Sequence, residues 1–129
     1  MGIISNPSKV PYFSIEEREK IILEVLQDLP NIKVGHCSGL LADFINQGGY
    51  NVVVRALRST ADFEYELQME RMNGRLYDHP VETVFLMADA QYTFLSSSMV
   101  KEVHSLGGSI EGLVPETIAR RMDAVKAGR

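Results

Sequence analysis

Two runs of consecutive apolar residues, Val52-Val53-Val54 and Thr83-Val84-Phe85-Leu86-Met87, constrain the fold of this chain most tightly. A strand with one wet face alternates apolar and polar residues, and neither run does. An unbroken β-branched run suits a strand buried on both faces, the condition of a parallel sheet enclosed between helices. Helical patterns fall between and around these runs. Ser14 with Glu17 reads as a capping box, and Ile21, Ile22, Val25, Leu26 and Leu29 follow at helical spacing until Pro30 stops the helix. Ile3-Ile4 reads as the tail of a strand and Ile32-Lys33-Val34 as a short one, while residues 39–47 form a helix closed by Gly48-Gly49. Further helices are expected from about Asp62 to Leu76, from within Ser96–Ser98 to Leu106, and after Pro115, which suits a first helical position. Strands and helices alternate throughout, so the fold class is α/β, a parallel sheet with helices on both faces.

Composition narrows the setting. The 129 residues, 45% of them hydrophobic, make one domain's worth of chain, 1–129, with no repeat or dividing linker. A formal charge of -4 gives the whole chain no attraction for nucleic acid or an anionic membrane, so any anion site must be local. Cys37 is the only cysteine, no signal peptide is visible, and no apolar run approaches the roughly 20 residues of a membrane span. A soluble, cytosolic protein is expected. The opening Met1-Gly2, placed directly before a strand, reads as a start fitted onto a cut.

Ligands of open α/β sheets bind beyond the carboxyl ends of the strands. Three basic or donor-rich elements fall at such places: Lys9 after Ile3-Ile4, Arg55 and Arg58 after Val52-Val53-Val54, and Ser96-Ser97-Ser98 after the 84–87 strand. A helix N-terminus with hydroxyls suits phosphate, arginine offers a planar fork, and lysine a point charge. Lys101 near that helix start also favours an anion there. The plain alternatives are a serine cap, two surface arginines and a solvated lysine. His36-Cys37, His79 and His104 lack metal spacing or a nucleophile to serve. Asp62, Glu64 and Glu66 read as a solvated helix start, and the methionines as core filler.

Longer stretches carry a family resemblance. Ser5-Asn6-Pro7-Ser8-Lys9-Val10-Pro11-Tyr12-Phe13, Val54-Arg55-Ala56-Leu57-Arg58 with Ala61-Asp62-Phe63-Glu64-Tyr65-Glu66, and Tyr92-Thr93-Phe94-Leu95-Ser96-Ser97-Ser98 with Val100-Lys101-Glu102 resemble, in order and spacing, segments of bacterial phosphopantetheine adenylyltransferases. The resemblance implies a Rossmann-like, doubly wound nucleotidyltransferase fold, normally a homohexamer in the cytoplasm. Its activity joins ATP to 4′-phosphopantetheine with Mg²⁺ assisting, and coenzyme A is a possible feedback ligand. Carried over by position, Lys9 and Arg58 act on the reacting phosphates, and Lys9, Leu41, Arg55 and Asn73 take phosphopantetheine. Ala56, Leu57, Arg58, Glu66, Tyr92, Thr93, Phe94, Leu95, Ser96, Ser97 and Ser98 hold ATP.

Two departures stand out. Ala56 replaces the family's usual glycine, which restricts the backbone slightly. The family's amino-terminal β-α unit of about 30 residues, with its Thr/His-x-Gly-His motif, has no match among His36, His79 and His104. If the natural chain starts at Met1, transfer is expected to be about 100- to 1,000-fold slower. Loss of the unit would also favour aggregation or pairing with another chain. The alternatives are a catalytically weak or inactive nucleotide- or phosphopantetheine-binding fragment and an assembly module.

Overall fold

The computed structural model describes residues 1–5 and 10–128. Lys9 and the Asn6-Pro7-Ser8 stretch lie outside them. In chain order come β1 (Gly2–Ser5), α1 (Ile15–Val25), β2 (Gly35–Ser38), α2 (Leu41–Gly48), β3 (Val52–Leu57), α3 (Thr60–Gly74), β4 (Glu82–Met87), α4 (Ser97–Ser105) and α5 (Glu116–Ala127). The α/β alternation expected from sequence is present. The chain forms two compact units, one of Met1–His36 with Leu95–Arg129, the other of Cys37–Phe94.

In the first unit, α1 starts as its capping box requires. The Ser14 hydroxyl accepts from the Glu17 N–H at 3.2 Å, and the Glu17 carboxylate accepts from the Ser14 N–H at 2.7 Å. The helix ends at Val25, a turn earlier than expected, because the chain ahead of Pro30 tightens into a turn closed by Leu29 N–H on the Leu26 carbonyl. Ile32-Lys33-Val34 is not a strand. The ladder with β1 begins later, where Gly35 N–H donates to the Met1 carbonyl at 2.9 Å, and β2 runs from there. Pro115 is the cap of α5 rather than its first residue.

Val100, Ile110 and Met122 form the buried centre of this unit, with Tyr12, Phe13 and Ile118 packed against it. Polar ties then fix its helices. Glu24 of α1 accepts from Arg121 of α5 at 2.7 Å, and that bond foremost holds the Glu24 carboxyl below the usual carboxylate range. His104 of α4 meets Asp123 of α5 at 2.8 Å, while the Lys126 ammonium caps the last α4 turn by donating to the His104 carbonyl at 2.9 Å.

In the second unit, β3 and β4 pair in parallel, Val52 with Glu82 through Leu57 with Met87. Residues directly paired share a face, so Val53, Arg55, Leu57, Thr83 and Phe85 lie on one side. Helix α3 covers that side, with the Phe63 and Phe85 rings edge to face at 5.6 Å. Val52, Val54, Val84 and Leu86 on the other side are 43% to 61% exposed. The expectation that Val52-Val53-Val54 is buried on both faces is therefore corrected. The inner alternate positions are the ones that α3 packs.

A small polar lock joins the end of α2 to the loop after α3. The Asn46 amide donates to the Leu76 carbonyl at 3.0 Å and accepts from the Asp78 N–H at 3.2 Å. His79 touches the Asp78 carboxylate at 2.6 Å through Nδ1 and the Tyr50 carbonyl at 2.9 Å through Nε2. Both partners are acceptors, so only the imidazolium satisfies both contacts. The His79 pKa is raised, first by Asp78 and then by the Tyr50 carbonyl. Its stabilisation is complete below the unfolded value of about 6.5 and is lost as pH rises through the higher folded value. We expect the melting temperature of the chain to fall as pH rises above about 6.5, and His79→Gln to flatten that slope. An unchanged slope in the variant would show that the lock does not titrate.

Candidate functional site

Arg55 does not follow β3, as the sequence suggested, but belongs to it, because the ladder with β4 continues to Leu57. It lies on the face that α3 covers, between the inward positions Val53 and Leu57. A guanidinium there needs a partner, and α3 supplies one. Arg55 Nε and Nη2 donate to the two Glu66 carboxylate oxygens at 2.6 and 2.7 Å. The Glu66 side chain is 16% exposed and that of Arg55 38%. This bond foremost raises the Arg55 pKa, so its charge is permanent.

Arg58, the first residue past the strand, repeats the arrangement. Its Nε donates to Asp62 Oδ2 at 3.0 Å, its Nη2 to Oδ1 at 3.3 Å, and its backbone N–H to Oδ2 at 3.0 Å. The Arg58 side-chain bond, then its backbone N–H, hold the Asp62 carboxyl below the usual range. Ser59 caps the same helix, accepting from the Asp62 N–H at 3.2 Å. Asp62 and Glu66 stand four residues apart and so on one face of α3. Two arginines and two carboxylates thus form one row of side-on pairs.

This corrects the reading of Asp62, Glu64 and Glu66 as a solvated helix start. Two of the three are engaged by arginine, and Glu64 alone is exposed. Asp62 is the functional candidate that sequence reasoning missed. Its spacing from Glu66, beside two arginines ahead of the helix, was the available signal. Tyr77 is a second. Its hydroxyl is buried with no partner among the described residues, and burial, then Glu70, raises its pKa while Arg55 opposes.

Leu41 opens α2, and Asn73 is buried in the last turn of α3. Leu57 is 4% exposed and its carbonyl accepts from the Ala88 N–H, so its side chain belongs to the core. Ala56 lies on the exposed sheet face with negative φ, so its methyl group causes no backbone strain. Tyr92 and Phe94 are exposed, and the Thr93 hydroxyl donates to the Ala90 carbonyl. These residues belong to the second unit.

Leu95, Ser96, Ser97 and Ser98 belong to the first unit. Leu95 packs against the Val100 cluster. Ser96 caps α4, accepting from the Met99 N–H at 3.2 Å, which is the plain role considered for it. Ser97 and Ser98 occupy the exposed first turn, with Lys101 further along the same helix. The histidines are engaged elsewhere, His36 with Glu19 at 3.1 Å, His79 with Asp78 and His104 with Asp123. Among the described residues no three His, Cys, Asp or Glu side chains gather as a metal site. Nor is any helix among them long and apolar enough to cross a membrane.

The cytidylyltransferase-like family model matches residues 1–103, which makes the class a nucleotidyltransferase. The chain is 48% identical over 120 residues to a phosphopantetheine adenylyltransferase of Dictyoglomus turgidum, covering 93% of this chain and 74% of that one. It is 50% identical over 118 residues to that of Clostridium tetani, covering 92% and 73%. The chain belongs to the phosphopantetheine adenylyltransferase family.

The Arg58–Asp62 pair makes a direct prediction. By carboxyl NMR titration, Asp62 should titrate below the ordinary range, and Arg58→Ala should raise it only part of the way back, because the backbone N–H at position 58 still reaches it. An unchanged value in Arg58→Ala would show that the guanidinium does not hold it.

Proposed function

We propose that this chain transfers the adenylyl group of ATP to 4′-phosphopantetheine, giving dephospho-coenzyme A and pyrophosphate. The observation that carries the reading is the agreement between the relatives' common name and two arginines, Arg55 in β3 and Arg58 just past it, each held by a carboxylate of α3. A phosphate oxygen of phosphopantetheine attacks the α-phosphorus of ATP. A new P–O bond forms as the α–β bridging P–O bond breaks, and pyrophosphate leaves with its electron pair. No covalent enzyme intermediate is needed, so the protein's part is to position two polyanions and stabilise charge.

In this reading Arg55 takes the phosphopantetheine phosphate, with Leu41 and Asn73 along its pantetheine arm. Arg58 serves the reacting phosphates together with Lys9, and the backbone at Ala56 and Leu57, the Tyr92–Leu95 stretch and the Ser96–Ser98 helix start serve ATP. Arginine forks and helix-start N–H groups both suit that work. Glu66 belongs with the ATP set in the same reading. Mg²⁺ would arrive on the ATP phosphates, neutralising part of their charge. Homohexameric assembly, feedback by coenzyme A and a cytoplasmic setting belong to the same reading and rest on the resemblance. The relatives' names favour an enzyme over an inactive binding fragment.

The test is dephospho-coenzyme A formation by the chain, followed by mass spectrometry. Product should appear only when ATP and 4′-phosphopantetheine are both present, and Arg58→Ala should lower kcat/KM by about 100-fold or more. Absence of product, with no saturable binding of either substrate, would contradict the reading.

A further inference from the structure

The way Glu66 meets Arg55 assigns it a role beyond binding nucleotide. A guanidinium has five N–H groups on two usable edges. Glu66 occupies the side edge, taking Nε–H and one Nη2–H with its two oxygens. The end edge, with both Nη1 hydrogens and the second Nη2 hydrogen, is not spent on Glu66. Both Glu66 oxygens lie at short, charge-assisted distances, and its side chain is the better buried of the two.

We propose that Glu66 is a positioning residue, which acts through Arg55 by clamping its side edge so that the end edge is presented as a ready-made fork for the phosphate of phosphopantetheine. The proposal rests on the reading of Arg55 as the phosphopantetheine arginine. Three observations support it. Arg55 springs from a fixed backbone, because it is paired with Phe85 in the β3–β4 ladder. Glu66 lies in the interior of α3, a helix of 15 residues, so both partners stand on rigid elements. Asp62 repeats the same side-edge grip on Arg58 one helical turn away. A free arginine must give up side-chain freedom when it binds an anion, and a clamped one has done so beforehand.

Calorimetric titration of the chain with 4′-phosphopantetheine and, separately, with ATP and Mg²⁺ tests the assignment. Glu66→Gln keeps the side chain's size and should weaken phosphopantetheine binding by about tenfold or more. Arg55→Lys, which has no side edge to clamp, should show a similar loss. The decisive variant combines both. In the Arg55→Lys background, Glu66→Gln should cost no more than about a further twofold, because the clamp has nothing left to hold. The Arg55 Nε–H proton, followed by NMR, should exchange slowly in wild type and rapidly in Glu66→Gln, which reports the clamp without any ligand.

Multiplicative losses in the double variant, or a Glu66→Gln loss confined to ATP, would overturn the proposal while leaving the functional reading in place. Undiminished phosphopantetheine binding by Glu66→Gln would do the same. Failure of wild type to bind phosphopantetheine at all would overturn the functional reading and the proposal with it.

Discussion

A permanently charged arginine set on the covered face of a β-sheet governs the arrangement around it. Arg55 lies between Val53 and Leu57, beneath α3, where an unpaired guanidinium would lose water without replacement. Glu66 answers that charge, and its position on α3 fixes which helix face turns toward the sheet. Asp62 follows one turn earlier and meets Arg58. The helix therefore docks by two charge pairs as well as by the Phe63–Phe85 contact.

The two units solve the same packing problem differently. The first buries Val100, Ile110 and Met122 and ties its helices by Glu24 with Arg121 and by His104 with Asp123. The second buries Ala42, Ile45 and Leu57 and adds its parallel ladder and the α3 charge row. Its other sheet face carries Val52, Val54, Val84 and Leu86, an apolar set that remains substantially exposed.

Most elements were legible in the sequence because they carry local signals. The Ser14–Glu17 capping box, the Gly49 helix end and the two apolar runs each declare themselves within a few residues. Boundaries were less legible where a partner sets them. Gly35 opens β2 because Met1 is there to accept from it, and β3 reaches Leu57 because β4 continues opposite. Arg55 and Arg58 were visible as charges after a strand-like run. Their partners were not, since a carboxylate eleven residues away reaches Arg55 only after the chain has turned into α3. Asp62 and Glu66 looked like solvated acids for the same reason. Tyr77 gave no signal at all, because its buried hydroxyl is defined wholly by tertiary surroundings.

The most direct measurement is an experimental structure of the chain with 4′-phosphopantetheine bound. Its phosphate should meet Arg55 along the Nη1–Nη2 edge while both Glu66 oxygens stay on Nε and Nη2. A phosphate bound away from Arg55, or a Glu66 carboxylate that has left Arg55 on binding, would contradict the central claim that the clamped arginine is the phosphate receptor.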